Sequence, residues 1–293
     1  MSHQVDVQND ATGVSMDWRS FGCPSRYYAV DQAEAIRAAR KSPSFLERHF
    51  EEFLKYNERG LRGRVERTFK QWNKILRDHL RNETGLHLTV GEETQAVPVQ
   101  IYDGFPEAFA KIIAGLDESH WWMLVNRHIL QQGLLATKFF QDGFEWISEW
   151  SGLEPSATKY EEVRHVRISL YLLLRKLRRL GFVERIKAVQ EDILGAYFFR
   201  IPEVRLYWMV IGFLSGVLGV SAEALTVVVA AHELAHAYTH LGRDIDGSRW
   251  ETECFAVTNL AITEGLAQFY AQAVCKKLHR GASEVTPRHE TAF

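Results

Sequence analysis

Apolar residues recur every three or four positions through much of the first two thirds of this chain. In RVERTFKQWNKILRDHL (64–80), Val65, Phe69, Trp72, Ile75, Leu76 and Leu80 fall near one face, the spacing of an amphipathic helix. The same period predicts helices from Asp31 to about Asn82, punctuated by Ser42-Pro43-Ser44 and by Gly60 and Gly63, with Ser44 and Glu47 as a capping box. Further helices are expected over 105–115, 118–141 and 156–180, the last closing on Gly181. Within 83–104 the pieces LHLTV and AVPVQIY read as short strands or extended loops. Leu170 to Leu174 read as core, and the tryptophans of HWW (120–122) and EWISEW (145–150) as packing aromatics.

From Asp192 the pattern turns strand-like. GAYFFRIP (195–202) and EVRLYWMVIGF (203–213) are rich in aromatic and β-branched residues, break at Pro202, and predict a hairpin. Leu206 to Val220 carries no charge over fifteen residues. That is short of the ~20 residues of a membrane helix, so a buried strand and turn is expected, with no membrane span. Ser221 caps a helix reaching about Leu241, and Gly242 supplies its stop. RDIDG (243–247) is a polar loop. Ser248 and Glu251 form a capping box opening a long helix to roughly Leu278, and the residues after Arg280 look like a tail. The expectation is a helix-rich α+β fold: a helical N-terminal region (1–190), a C-terminal region with a small sheet (191–280), and a tail (281–293).

With 46% hydrophobic residues the chain can bury a sizeable core, and a net charge of −2 gives no general attraction to nucleic acid. Glu66, Asp78 and Glu83 interleave with the basic residues of the 64–80 helix, which makes that face a solvated one. Three cysteines without a CxxC spacing, and a polar N-terminus without a secretion pattern, point to a reducing compartment, the cytoplasm.

One stretch departs from the ordinary alternation of core and surface. VVVAAHELAHAYTHLGRD (227–244) sets two histidines and a glutamate into a helix that is apolar nearly all round. Burying three polar groups there is costly unless something satisfies them. His232-Glu233-Leu234-Ala235-His236 is HExxH. Positions i and i+4 lie about 40° apart around a helix and ~6 Å along it, so both imidazoles can converge on one ion while Glu233 reaches its water. This makes His232 and His236 candidate Zn2+ ligands and Glu233 a candidate general base. His240 lies about 12 Å along the helix from His232, too far to share an ion with it. A better third ligand is Glu264 in ITEGLAQFYAQAV (262–274), with Leu260, Ala261, Ala267 and Ala271 expected on its face. Gly265 beside it would let another helix approach closely, and the short 242–247 loop makes the two helices neighbours.

HELAH followed by TEGLAQ resembles the gluzincin metallopeptidases, which include the thermolysin and aminopeptidase N families. The resemblance covers residues ~195–275 and implies a zincin-like core, with zinc held by His232, His236 and Glu264 and water activated by Glu233. It also implies a peptide or protein substrate, bound along an edge strand that 203–213 is placed to supply. Gln268 stands where thermolysin-like enzymes carry an Asp, and no Gly-Ala-Met-Glu-Asn motif occurs. Tyr270, His240, Tyr197 and Tyr207 are candidates to stabilise an oxyanion. Two alternatives stay open: a regulatory or effector protease acting on one partner protein, and a non-catalytic protein with a structural metal.

Overall fold

A computed structural model describes residues 45–88, 97–151, 157–188 and 193–285. The expected helix from Asp31, the Ser44 cap, the end of LHLTV and the last residues of the tail lie outside these. Helices α1 (Phe45–Asn57) and α2 (Leu61–Thr84) come first, then strand β1 (Val99–Tyr102). They are followed by α3 (Glu107–Ile113), α4 (Glu118–Val125), α5 (Arg127–Ser151), α6 (Ala157–Arg179) and α7 (Phe182–Ala188). The remainder is β2 (Gly195–Phe198), β3 (Glu203–Tyr207), α8 (Trp208–Leu218), α9 (Ala222–Leu241), α10 (Thr252–Val257) and α11 (Leu260–Val285). The fold is helix-rich α+β, as expected. No helix among the described residues is long and apolar enough to cross a membrane.

The three-stranded sheet has the order β1-β3-β2. β2 and β3 form the expected antiparallel hairpin, Gly195 opposite Leu206, while β1 pairs parallel to β3, Val99 opposite Val204. β3 is therefore the central strand. The expectation that 203–213 supplies an edge strand is corrected: β1 and β2 are the edges, and β2 packs against α9.

The strand also ends earlier than its apolar run suggested. Trp208 to Leu218 form a helix, with Trp208, Val210, Ile211 and Phe213 almost wholly buried. A segment buried on every side carries no amphipathic period, so strand and helix look alike in sequence. Gly212 gives the helix its close packing, because a Cβ there would overlap the Leu61 side chain.

α9 is the central element. It packs on α2 and α11, and also against α8, β2 and β3. Its start is as expected, with the Ser221 hydroxyl accepting from Ala224 N–H at 3.0 Å. Gly242 ends it in an extended conformation (φ −63°), not the left-handed one. Glycine is needed there because a Cβ would lie 2.7 Å from that of Leu86. The adjoining His87 and Arg243 exchange backbone hydrogen bonds of 2.9 and 3.0 Å, and the Tyr238 hydroxyl donates to the Arg77 carbonyl at 2.9 Å. These contacts tie α9 to the end of α2. One hydrophobic cluster runs from Phe50 through Trp208 to Val274, drawing on both sides of residue 190.

The long helix expected from Ser248 is two helices. Ser248 instead closes a turn in which Asp244 Oδ1 accepts from Asp246 and Ser248 N–H. α10 then ends at Val257, and the Asn259 side chain accepts from Ala261 N–H at 2.9 Å to start α11. α11 runs on to Val285, beyond the expected end near Leu278.

Candidate metal centre

α9 is buried almost continuously from Val229 to Gly242, because small apolar side chains surround the HExxH positions. His236 is buried, His232 reaches the margin of the core, and Glu233 is only 2% exposed. The two imidazoles lie one above the other, their Nε2 atoms 3.2 Å apart.

Glu264 arrives from α11. Thr263, Ala267, Ala271 and Val274 form the buried stripe of that helix, while Ala261 is exposed and not part of it. Glu264 stands at the margin of this stripe. Its Oε2 lies 3.2 Å from His232 Nε2 and its Oε1 lies 3.3 Å from His236 Nε2. Burial alone would raise the Glu264 pKa. Hydrogen bonds and charge from the two histidines outweigh it and hold the carboxyl down to about 2. Sequence reasoning gave Gly265 a role in close packing, but a Cβ there would meet nothing within 4 Å, so that role is withdrawn.

The donor set suits a metal. His232, His236 and Glu264 each offer one ligand atom, all within 4.8 Å of one another. Bonds of about 2.0–2.1 Å to a tetrahedral zinc put neighbouring ligand atoms about 3.3–3.4 Å apart. The two imidazole nitrogens, 3.2 Å apart, lie close to that edge length, and a different oxygen of Glu264 approaches each of them, at 3.2 and 3.3 Å.

Glu233 packs closely against β2. Gly195 makes room for it: a Cβ at position 195 would lie 2.8 Å from Glu233 Cγ and 2.8 Å from its Oε1. Sequence reasoning missed Gly195. Its only signal was a glycine opening a strand, which marks a close backbone approach.

Two of the oxyanion candidates are engaged elsewhere. Tyr197 and His240 are buried and bonded to each other, hydroxyl to Nδ1 at 2.8 Å. The other ring nitrogen of His240 meets Thr252 Oγ1 at 3.2 Å, and its ring stacks on Phe255. Burial lowers the His240 pKa to about 4, with Arg249 adding to the effect and Glu253 opposing it. It also pushes the Tyr197 hydroxyl well above its ordinary range. His240 therefore joins α9, β2 and α10 as a neutral group. Tyr207 is buried on β3, edge-on to Tyr102, and Tyr270 is half-buried on α11 beside Phe269.

Compared with known protein families, with characterised proteins and with solved structures, the chain finds no significant match.

Proposed function

We propose that this protein is a zinc-dependent metallopeptidase of the gluzincin kind, hydrolysing peptide bonds in a peptide or protein substrate. The observation that carries the reading is the convergence of His232, His236 and Glu264 from two helices, with Glu233 buried beside His232. Two imidazoles and one carboxylate are the ligand set of catalytic zinc, which leaves a coordination position for water. A structural site is normally closed by a fourth protein ligand. Bound zinc supplies Lewis acidity toward a carbonyl and acidifies water.

The chain's own residues supply the rest. Glu264 brings one negative charge to balance the cation, and the two imidazoles beside it favour its ionised form. Glu233 takes a proton from the attacking water and passes it to the departing amine. Gly195 on β2 holds open the space its carboxylate occupies. The zincin-like character of the C-terminal region is supported by the same elements: an edge strand packed on the HExxH helix, and a following helix bearing the third ligand. A reducing compartment, the cytoplasm, goes with this reading, since Cys254 and Cys275 are free thiols.

The test separates binding from chemistry. Glu233→Gln keeps shape and hydrogen bonding but cannot accept the proton. The variant should bind about one zinc per chain, as the parent does, and lose cleavage by about 10²–10⁴-fold. Parent and variant are incubated with a cell extract, and new peptide termini are compared by mass spectrometry. Termini made only by the parent and abolished by chelator support the proposal. A zinc-loaded parent that makes no more termini than the variant overturns general peptidase action.

A further inference from the structure

Helix α6 concentrates positive charge. Between Val163 and Val183 there is no acidic residue, while Arg164, Arg167, Arg175, Lys176, Arg178 and Arg179 are cationic, in a chain whose net charge is −2. Two of the six are engaged: Arg164 pairs with Glu161 at 3.2 Å, and Arg167 bonds Gln141 on α5. Arg175, Arg178 and Arg179 are exposed and make no ion pair among the described residues. A macrodipole of about half a charge at the helix C-terminus does not call for so many cations. The apolar run of the same helix divides in two. Leu170, Leu173 and Leu174 pack on the core, Leu177 is buried, and a Cβ on Gly133 of α5 would meet Leu170 at 3.3 Å. The expectation that all of Leu170 to Leu174 is core is thus corrected: Tyr171 is 54% and Leu172 53% exposed, and Ile168 before them 46%. At about 100° and ~1.5 Å per residue, Arg164, Ile168, Tyr171, Leu172, Arg175 and Arg179 fall in one stripe about 100° wide and about 22 Å long.

We propose that this stripe of α6 seats the protein on an anionic lipid bilayer, with the helix lying along the headgroup layer. Charge complementarity argues for the partner. Arg175, Lys176, Arg178 and Arg179 cluster at one end of the stripe, and Lys/Arg clusters of this size on an amphipathic helix are drawn to anionic lipid surfaces. Three of the four are arginines, whose planar guanidinium matches a phosphate with two hydrogen bonds. The order of residues argues for a bilayer over a nucleic acid. Apolar side chains occupy the middle of the stripe, and cations both ends. Ile168, Leu172 and the aliphatic stems of the arginines reach the acyl boundary, while the guanidiniums and the Tyr171 hydroxyl stay among the headgroups. Against a phosphate backbone the same apolar groups would meet charge and stay unburied. Three apolar side chains hold weakly by themselves, so the attachment is reversible and depends on charge. The proposal does not rest on the metal centre.

The test is flotation of the full chain with lipid vesicles. Phosphatidylcholine vesicles with about 30% phosphatidylserine should bind it at least about tenfold more tightly than phosphatidylcholine alone. Raising the salt to about 0.5 M should release it. Arg175→Glu with Arg179→Glu should cut binding by about 25-fold or more, roughly fivefold for each cation lost. Arg59→Glu with Lys74→Glu alters the net charge equally, at exposed positions before and within α2, and should bind like the parent. Tyr171→Ser with Leu172→Ser leaves every charge in place and should weaken binding by about tenfold. All three pairs alter exposed side chains, so each variant should keep the parent's helix content and melting temperature. No preference for anionic vesicles overturns the proposal, whether residues 1–44 cover the stripe or an acidic protein is its partner. Equal loss in the two charge pairs overturns it, because net charge and not this face would then set the binding. Binding to duplex DNA without binding to vesicles overturns it too, as does undiminished binding by the serine pair.

Discussion

A Cβ at position 195 would sit 2.8 Å from Glu233 Cγ and Oε1, and 2.9 Å from Val229 Cγ1. Glu233 is buried, so it cannot retreat without disturbing the packing around it. Gly195→Ala should therefore displace the carboxylate and cut peptidase activity at least about tenfold, since a misplacement of ~1 Å is already costly. Glu233 is not proposed as a ligand, so the variant should keep its zinc. Unequal loss of metal and activity is the readout, and parallel loss of both would refute the assignment. Gly265→Ala is the matched control. It fills open space on an exposed helix surface, should leave zinc untouched, and should stabilise by up to about 1 kcal/mol through helix propensity. At the third ligand, Glu264→Ala should lower zinc affinity markedly by competition titration. Glu253→Ala, on the neighbouring helix, should not. Equal affinity in the two variants would send the search for a third ligand elsewhere.

At the level of elements, His240 joins three that together frame the centre: α9 itself, β2 through Tyr197, and α10 through Thr252. Its folded pKa, about 4, lies below the unfolded value of 6.5. The unfolded chain therefore binds the extra proton first as pH falls. The stability from keeping His240 neutral is complete above about pH 6.5, declines between 6.5 and 4, and is lost below, up to about 3 kcal/mol in all. Unfolding by urea in the presence of chelator should show this slope in the parent and a shallower one in His240→Gln. The same slope in both would disprove the assignment. Which elements could be read in advance follows from where their signals lie. α9 was legible because Ser221 caps it locally and its polar residues stand out against an apolar helix. The HExxH pair and Glu264 were legible for the same reason, as polar groups with no apolar rationale. α8 was not, since burial on all sides erases its period. The break at Thr258–Asn259 was not, because its signal is one asparagine side chain folding back on Ala261. The place of β3 at the sheet's centre depends on β1, from which it is separated by five helices and β2, and the fit of Gly195 to Glu233 depends on a strand meeting a helix.

On the scale of the molecule, the centre bridges two helices inside one continuous core. His232 and His236 come from α9 and Glu264 from α11, with α10 and two connecting turns between them. The hydrophobic cluster extends from α1 and α2 through α8 and α9 to α11, so these elements should melt as one cooperative unit. An ion bound by both helices in the folded chain, and by neither in the unfolded one, stabilises the whole unit by mass action. At a free zinc concentration of about 100 times Kd the gain is about 2.7 kcal/mol. Each kcal/mol raises the midpoint by about 2–4 °C in a domain of this general size, so zinc should shift it by about 5–10 °C. The expected result in scanning calorimetry is a single transition that moves up with zinc and down with chelator. Glu233→Gln should keep the full shift, because Glu233 is not a ligand. Glu264→Ala should lose most of it, because the two histidines alone no longer link α9 to α11. Calorimetry needs no substrate, so it tests the ligand set apart from the chemistry. A midpoint indifferent to chelator in a zinc-loaded parent would mean that the ion does not bridge the two helices. A shift confined to one of two separate transitions would mean that the core does not act as one.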